Sequence, residues 1–250
     1  MKKLISAFLI VVMAFSVFGI EAFAKGKSYT VTCKTSAEVM QFVLEDGKHA
    51  VPIRIVKATL RNGGVKKNVY LVGLVGVETG TEQTNNIKSC MKAGFGKTSD
   101  YFDVAKAAII KAVPKGANLV LAGHSLGGMT LQQISVDSEI KDRYNIINTM
   151  TAGSPYVKVK EEREGEFHRL ADKYDTIPWM SVALITNPRK MHCEVSKEDG
   201  GFFGDPDGAH NLSYISNDIW GEYDALGVKG GNAVITFNHA NVKIYGEAVK

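Results

Sequence analysis

The chain has 250 residues, with 30 Lys and Arg against 26 Asp and Glu and a formal net charge of +4 at pH 7. At 45% hydrophobic residues it has enough apolar side chains for a sizeable core, which excludes a disordered chain. The charges are mixed along the sequence without a concentrated basic patch, which argues against nucleic acid as a partner.

Residues 1–24 read as an export signal. Lys2 and Lys3 precede an apolar run from Leu4 to Ile20, and Ala22-Phe23-Ala24 is a small-x-small ending. This layout belongs to a cleaved secretory signal peptide rather than to a retained membrane anchor. No later run approaches the roughly 17–25 residues of a spanning helix, so no transmembrane anchor is expected after cleavage. Residues 25–250 are expected to form a single secreted domain. Of Cys33, Cys90 and Cys193, one pair can bridge or all three can stay reduced, and no C-x-x-C spacing signals zinc.

In chain order, "SYTVTCK" alternates as a strand, and "SAEVMQFVLEDG" follows with helical apolar spacing. "VPIRIVKATL" and "VKKNVYLVGLVGV" flank "RNGG", a hairpin signal, and the second ends in a run suited to a strand buried on both faces. The polar stretch from Glu78 to Thr98 reads as a long loop. In "SDYFDVAKAAIIKAV", Tyr101, Val104, Ala105, Ala108, Ile109 and Ala112 share one helical face, with Ser99 or Asp100 as cap and Pro114 as terminator. "ANLVLAG" predicts a buried strand, "LGGMTLQQISVDSEI" a helix and "NIINTMTAG" another strand. This rhythm predicts an α/β fold with a central, mostly parallel sheet flanked by helices. The charge run 157–166 reads as a solvated excursion.

Gly123-His124-Ser125-Leu126-Gly127 fits G-x-S-x-G between a buried strand and a small-residue helix. A nucleophilic serine at the top of such a sheet needs a sharp, strained turn. Gly123 and Gly127, two residues either side, avoid a mutual clash, and Gly128 lets the helix approach the sheet. The helix start below Ser125 offers its positive end and the Leu126 N–H to a developing oxyanion. Serine needs a base and the base an orienting acid. Among the downstream histidines His168, His192, His210 and His239, His210 is favoured because the turn-rich "FFGDPDGAHNLSYI" delivers it to an apolar segment. Asp175, in "LADKYDTIPW", sits after a strand and before a proline-ended turn.

These segments resemble the class 3 lipase family of α/β-hydrolases, the fungal triacylglycerol lipase type. The likeness spans about 65–220, through "NLVLAGHSLGG", "MTAGSP", "DTIP" and "AHNLSYI". It implies an α/β-hydrolase fold, with Ser125 as nucleophile, Asp175 as triad acid and His210 as base. In "LVGLVGVETG", Gly76 fits the family's glycine, but Val75 stands in place of an arginine and Val77 in place of a hydroxyl residue. The resemblance therefore leaves the backbone N–H of Val77 as the second oxyanion donor. It also places 79–98 at a lid position, and both a lid and an ordinary surface loop fit its mixture of polar residues with Ile87, Cys90, Met91 and Phe95.

The acids of 198–208 (Asp199, Asp205 and Asp207) do not match a calcium loop, and no metal is expected there. The reading is a secreted, monomeric serine hydrolase that cleaves carboxylic esters of lipids, acylglycerols or phospholipid acyl chains, at a lipid–water interface. No cofactor is implied, because water alone resolves an acyl-enzyme. Two alternatives share the sequence: an acyltransferase or thioesterase using the same triad, and a non-catalytic exported binding protein on a hydrolase fold.

Overall fold

The computed structural model describes residues 28–44, 52–77, 84–181, 189 and 195–246. The expected signal peptide, Cys193, His192 and residues 79–83 of the lid-position segment lie outside the described residues. Among the described residues one sheet of nine strands forms the centre. The strands are β1 (Thr30–Cys33), β2 (Ile53–Asn62), β3 (Val65–Leu74), β4 (Asn118–His124), β5 (Asn145–Ala152), β6 (Glu166–Asp172), β7 (Ser196–Glu198), β8 (Val234–Asn238) and β9 (Lys243–Tyr245). Their spatial order is β1-β8-β2-β3-β4-β5-β6-β7, with β9 beside β8 on the same edge of β2. The run from β3 to β7 is parallel. Strands β1, β8, β2 and β3 pair antiparallel, and β2 and β3 form the expected hairpin around Gly63 and Gly64. The molecule is thus α/β, with a mostly parallel central sheet between helical layers.

Both faces of the sheet are covered, and the two-residue period of the strands sorts their side chains between two cores. On one side α1 (Ser36–Leu44) packs Met40 and Val43 with Val56, Leu71, Val120, Ala122 and Trp220. On the other, α3 (Asp100–Ala112) and α4 (Leu126–Ile134) pack with Ile55, Val72, Leu119 and Leu121. In β4 the alternation is complete: Leu119 and Leu121 face one core, Val120 and Ala122 the other. In α3 the Ser99 side chain accepts from the Phe102 N–H at the N-cap, and Tyr101, Ala105, Ala108 and Ile109 are buried as expected.

Three elements differ from the sequence reading. The polar segment before α3 contains a helix, α2 (Ile87–Gly94), capped by the Asn86 side chain, which accepts from the Ser89 N–H. The expected helix over "LGGMTLQQISVDSEI" is two, because Ser135 ends α4 and Asp137 caps a new helix, α5 (Ser138–Arg143), by accepting from the Ile140 N–H. His210 lies on a short helix, α6 (Pro206–Asn211), started by Asp205 and Pro206, where the sequence suggests only a loop. The charge run begins buried at Val157 and is mainly exposed beyond it, and Arg163 lies over the rings of Tyr156 and Phe167.

Candidate active site

Ser125 joins β4 to α4 with φ +52° and ψ −122°. Among the described residues, Ser125 and Lys158 are the non-glycine residues with positive φ. Such geometry costs about 1–3 kcal/mol and persists only where the surroundings impose it. Here they do. The Ser125 N–H donates to the Ala152 carbonyl (3.0 Å) at the end of β5, and the Ser125 carbonyl accepts from Met129 N–H (3.2 Å) in α4. The side chain makes no capping bond, so its hydroxyl is not consumed by the helix end.

The surrounding glycines act by close approach. A Cβ on Gly123 would come within 2.8 Å of the Gly127 backbone, and one on Gly127 within 2.2 Å of the Leu74 carbonyl. A Cβ on Gly128 would meet Ser154 at 2.6 Å. The end of β3 therefore runs directly over the start of α4. A Cβ on Gly76 would stand 2.9 Å from Ser125 Cβ, which brings the 75–77 segment alongside the serine. Leu126 is the first residue of α4, where backbone N–H groups have no intrahelical acceptor. Val77 is partly buried and packs against the core on the α3 and α4 side.

The structure brings Ser125, His210 and Asp175 together from three segments. His210 Nε2 lies 3.1 Å from Ser125 Oγ, and His210 Nδ1 lies 2.9 Å from Asp175 Oδ2. A carboxylate can only accept, so Nδ1 carries the hydrogen and Nε2 is left to accept from the serine hydroxyl. Asp175 is buried after β6, and its other oxygen accepts from the Ile177 N–H (2.9 Å) in the turn at Pro178. His168 sits beside Glu166 and His239 stacks on Tyr29, so neither belongs to this cluster.

The neighbours of the three residues were not singled out by sequence reasoning. Tyr214 donates its hydroxyl to Asp175 Oδ2 (2.7 Å) and accepts from the Asp172 N–H (2.9 Å). Burial, followed by the adjoining Asp175 charge, raises the Tyr214 hydroxyl well above the usual phenol range, so it stays a donor. Behind it Asp172 accepts from Ser213 Oγ (2.7 Å) and from the Gly200 N–H, and Ser213 in turn accepts from Trp220 Nε1. Gly153, with φ +59°, closes the floor: a Cβ there would stand 3.0 Å from Asp175 Oδ2 and 3.1 Å from His210 Cε1. No local signal marks Tyr214, which stands in a separate 3-10 turn, Ser213–Ile215, after the helix that carries His210 has ended at Asn211.

His124 occupies the variable position of the motif and is buried against the base. Its Nε2–H donates to the His210 carbonyl (2.8 Å), and the two rings lie 4.6 Å apart. Burial first, then the neighbouring His210, push its pKa down to about 3, so His124 is neutral at pH 7. A neutral ring at position 124 places no further positive charge beside His210.

The acids of the 198–208 loop are each engaged by the chain. Asp205 caps α6, Asp199 pairs with Lys173, and Asp207 accepts from Asn211. No group of three His, Cys, Asp or Glu suited to a metal ion occurs among the described residues, and no helix among them is long and apolar enough to cross a membrane. Comparison with protein-family models, with curated proteins and with solved structures returned no match.

Proposed function

We propose that this chain is a serine ester hydrolase of the α/β-hydrolase type. The carrying observation is the pair of contacts at His210: Nε2 at 3.1 Å from Ser125 Oγ and Nδ1 at 2.9 Å from Asp175 Oδ2. In this reading His210 takes the hydroxyl proton as Ser125 Oγ forms a bond to the ester carbonyl carbon. The carbonyl oxygen gains the negative charge and is met by the backbone N–H of Leu126 and of Val77. Collapse of the tetrahedral species breaks the bond to the alkoxy group, which leaves as an alcohol with the proton from His210. Water then attacks the acyl-enzyme by the same steps in reverse roles and releases the acid. Asp175, itself held by Tyr214, keeps the Nδ1–H side of the imidazole in place while Nε2 takes and returns the proton.

The rim supports a lipid ester as the substrate class. Ile87, Met91 and Phe95 lie at i, i+4 and i+8 along α2 and its cap and are 60%, 61% and 71% exposed. Met180, Phe203 and Leu212 are also exposed, in segments that follow the carboxyl ends of β6 and β7. Those ends and the end of β3, from which α2 follows, lie on the sheet edge that carries Ser125. Apolar side chains around a polar site suit an ester with acyl chains, presented at a lipid–water interface. We read the active form as the secreted domain 25–250. Turnover of p-nitrophenyl esters of increasing chain length, beside Ser125→Ala and His210→Ala, tests the reading. Preference for long acyl chains with loss of turnover in both variants supports it, and equal activity of Ser125→Ala overturns it. Acylated acceptor in place of free acid points instead to acyl transfer.

A further inference from the structure

An oxyanion hole needs donors held in place before the charge appears, because their preorganisation is what lowers the barrier. The Leu126 N–H is fixed by α4. The second donor lies in 75–77, a segment that leaves the sheet after Leu74 and keeps one backbone tie to it, from the Val75 N–H to the Pro52 carbonyl (3.0 Å). Two side chains from different elements hold its carbonyls. The Tyr101 hydroxyl of α3 is shared between the Pro52 carbonyl (2.7 Å) and the Val75 carbonyl (3.2 Å). The Asn85 side chain donates from Nδ2 to the Gly76 carbonyl (2.9 Å).

The second contact has a geometric consequence. In a planar trans peptide the carbonyl of one residue and the N–H of the next point in opposite directions. Drawing the Gly76 oxygen toward Asn85 therefore fixes the direction of the Val77 N–H, on the side away from Asn85. Gly76 itself lies against Ser125, with a Cβ position 2.9 Å from Ser125 Cβ and 3.5 Å from Ser125 Oγ. Asn85 is fully buried, and its Oδ1 has no hydrogen-bond partner among the described residues. Leaving that oxygen desolvated costs more than the one bond made by Nδ2 returns. Stability alone does not account for an asparagine here.

We propose that Asn85 is a positioning residue for ester cleavage: its amide sets the Gly76–Val77 peptide so that the Val77 N–H meets the oxyanion formed at Ser125. The inference rests on the hydrolase reading. It also ties the hole to the rim, because Asn85 directly precedes Asn86, the cap of α2.

The test is Asn85→Leu, which keeps the forked shape and removes the donor, read beside wild type, Asn85→Ala and Ser125→Ala. Steady-state turnover of a p-nitrophenyl ester gives kcat and KM, an alkyl boronic acid reports binding of a tetrahedral adduct, and thermal melting reports the fold. The expected result is a fall in kcat of about 10-fold or more, part of the 10²–10³ lost with a whole donor. KM should stay within about threefold, boronic acid affinity should fall in step with kcat, and Tm should fall only modestly for the Leu variant, which orphans the Gly76 carbonyl but also removes the unpartnered Oδ1. A kcat within about twofold of wild type in a folded Asn85→Leu or Asn85→Ala protein overturns the inference and leaves the hydrolase reading standing. A loss carried by KM alone also overturns it. No turnover by wild type, or full turnover by Ser125→Ala, overturns the hydrolase reading and this inference with it.

Discussion

Gly64 and Gly127 sit at opposite ends of β3 and cannot be exchanged freely for opposite reasons. In the β2–β3 turn, Gly64 has φ +81° and nothing within 4 Å of a Cβ position. It is there for its backbone angle and faces open solvent. Beneath Ser125, Gly127 has ordinary helical geometry, but a Cβ would stand 2.2 Å from the Leu74 carbonyl and 2.5 Å from the Val75 carbonyl. It is there because two backbones touch. One end of the strand is locally determined; the other is fixed by contact between two segments distant in sequence, the end of β3 and the start of α4.

That contrast ranks the expected effects. Gly127→Ala forces backbone on backbone and should cost about 3 kcal/mol or more, a loss read directly by urea unfolding. A smaller loss would mean that β3 and α4 separate more easily than their packing implies. Tyr214→Phe comes next. It leaves the Asp172 N–H without its acceptor and Asp175 with one donor fewer, so stability should fall by about 1–3 kcal/mol. Turnover should fall about 10-fold as Asp175 loosens its hold on His210.

His124 gives a pH signature. Its folded-state pKa, about 3, lies below the ordinary 6.5, so the unfolded chain takes up the proton first as pH falls. The contribution of this group is complete above about pH 6.5 and is lost progressively down to about pH 3. His124→Gln keeps a donor for the His210 carbonyl and does not titrate, so its stability should converge on or overtake that of wild type across this window. Parallel curves for the two proteins would contradict the assignment. The smallest effect belongs to the open turn: Gly64→Ala should cost about 1 kcal/mol through its positive φ and leave turnover unchanged.

The same division explains what was legible in the sequence. The serine turn is readable because strand, glycines and helix are contiguous over 118–134. Asp175 and His210 are readable because each sits at a punctuated turn, one before Pro178 and one after Pro206. Tyr214 and Asn85 are not, since their roles depend on partners 39 and 9 residues away that only the fold brings near. Helix α2 hides for a different reason. Its apolar residues Ile87 and Met91, with Phe95 at its end, face outward, and its buried residues are the small Ser89 and Ala93. The stripe that normally announces a helix by its burial is here turned away from the core. Strand β8 pairs with β1 and β2 across long stretches of chain, although Ile235 and Phe237 alternate with Thr236 and Asn238 in the two-residue period of a half-buried strand.

The hydrolase proposal makes Ser125 a nucleophile activated by His210 and Asp175. A fluorophosphonate tests it directly, because it phosphonylates an activated serine and leaves an adduct whose position mass spectrometry can locate. A single adduct is expected, on Ser125, formed by wild type and suppressed in His210→Ala while Tm is retained. An adduct elsewhere, none at all, or equal labelling of Ser125 in His210→Ala would contradict it.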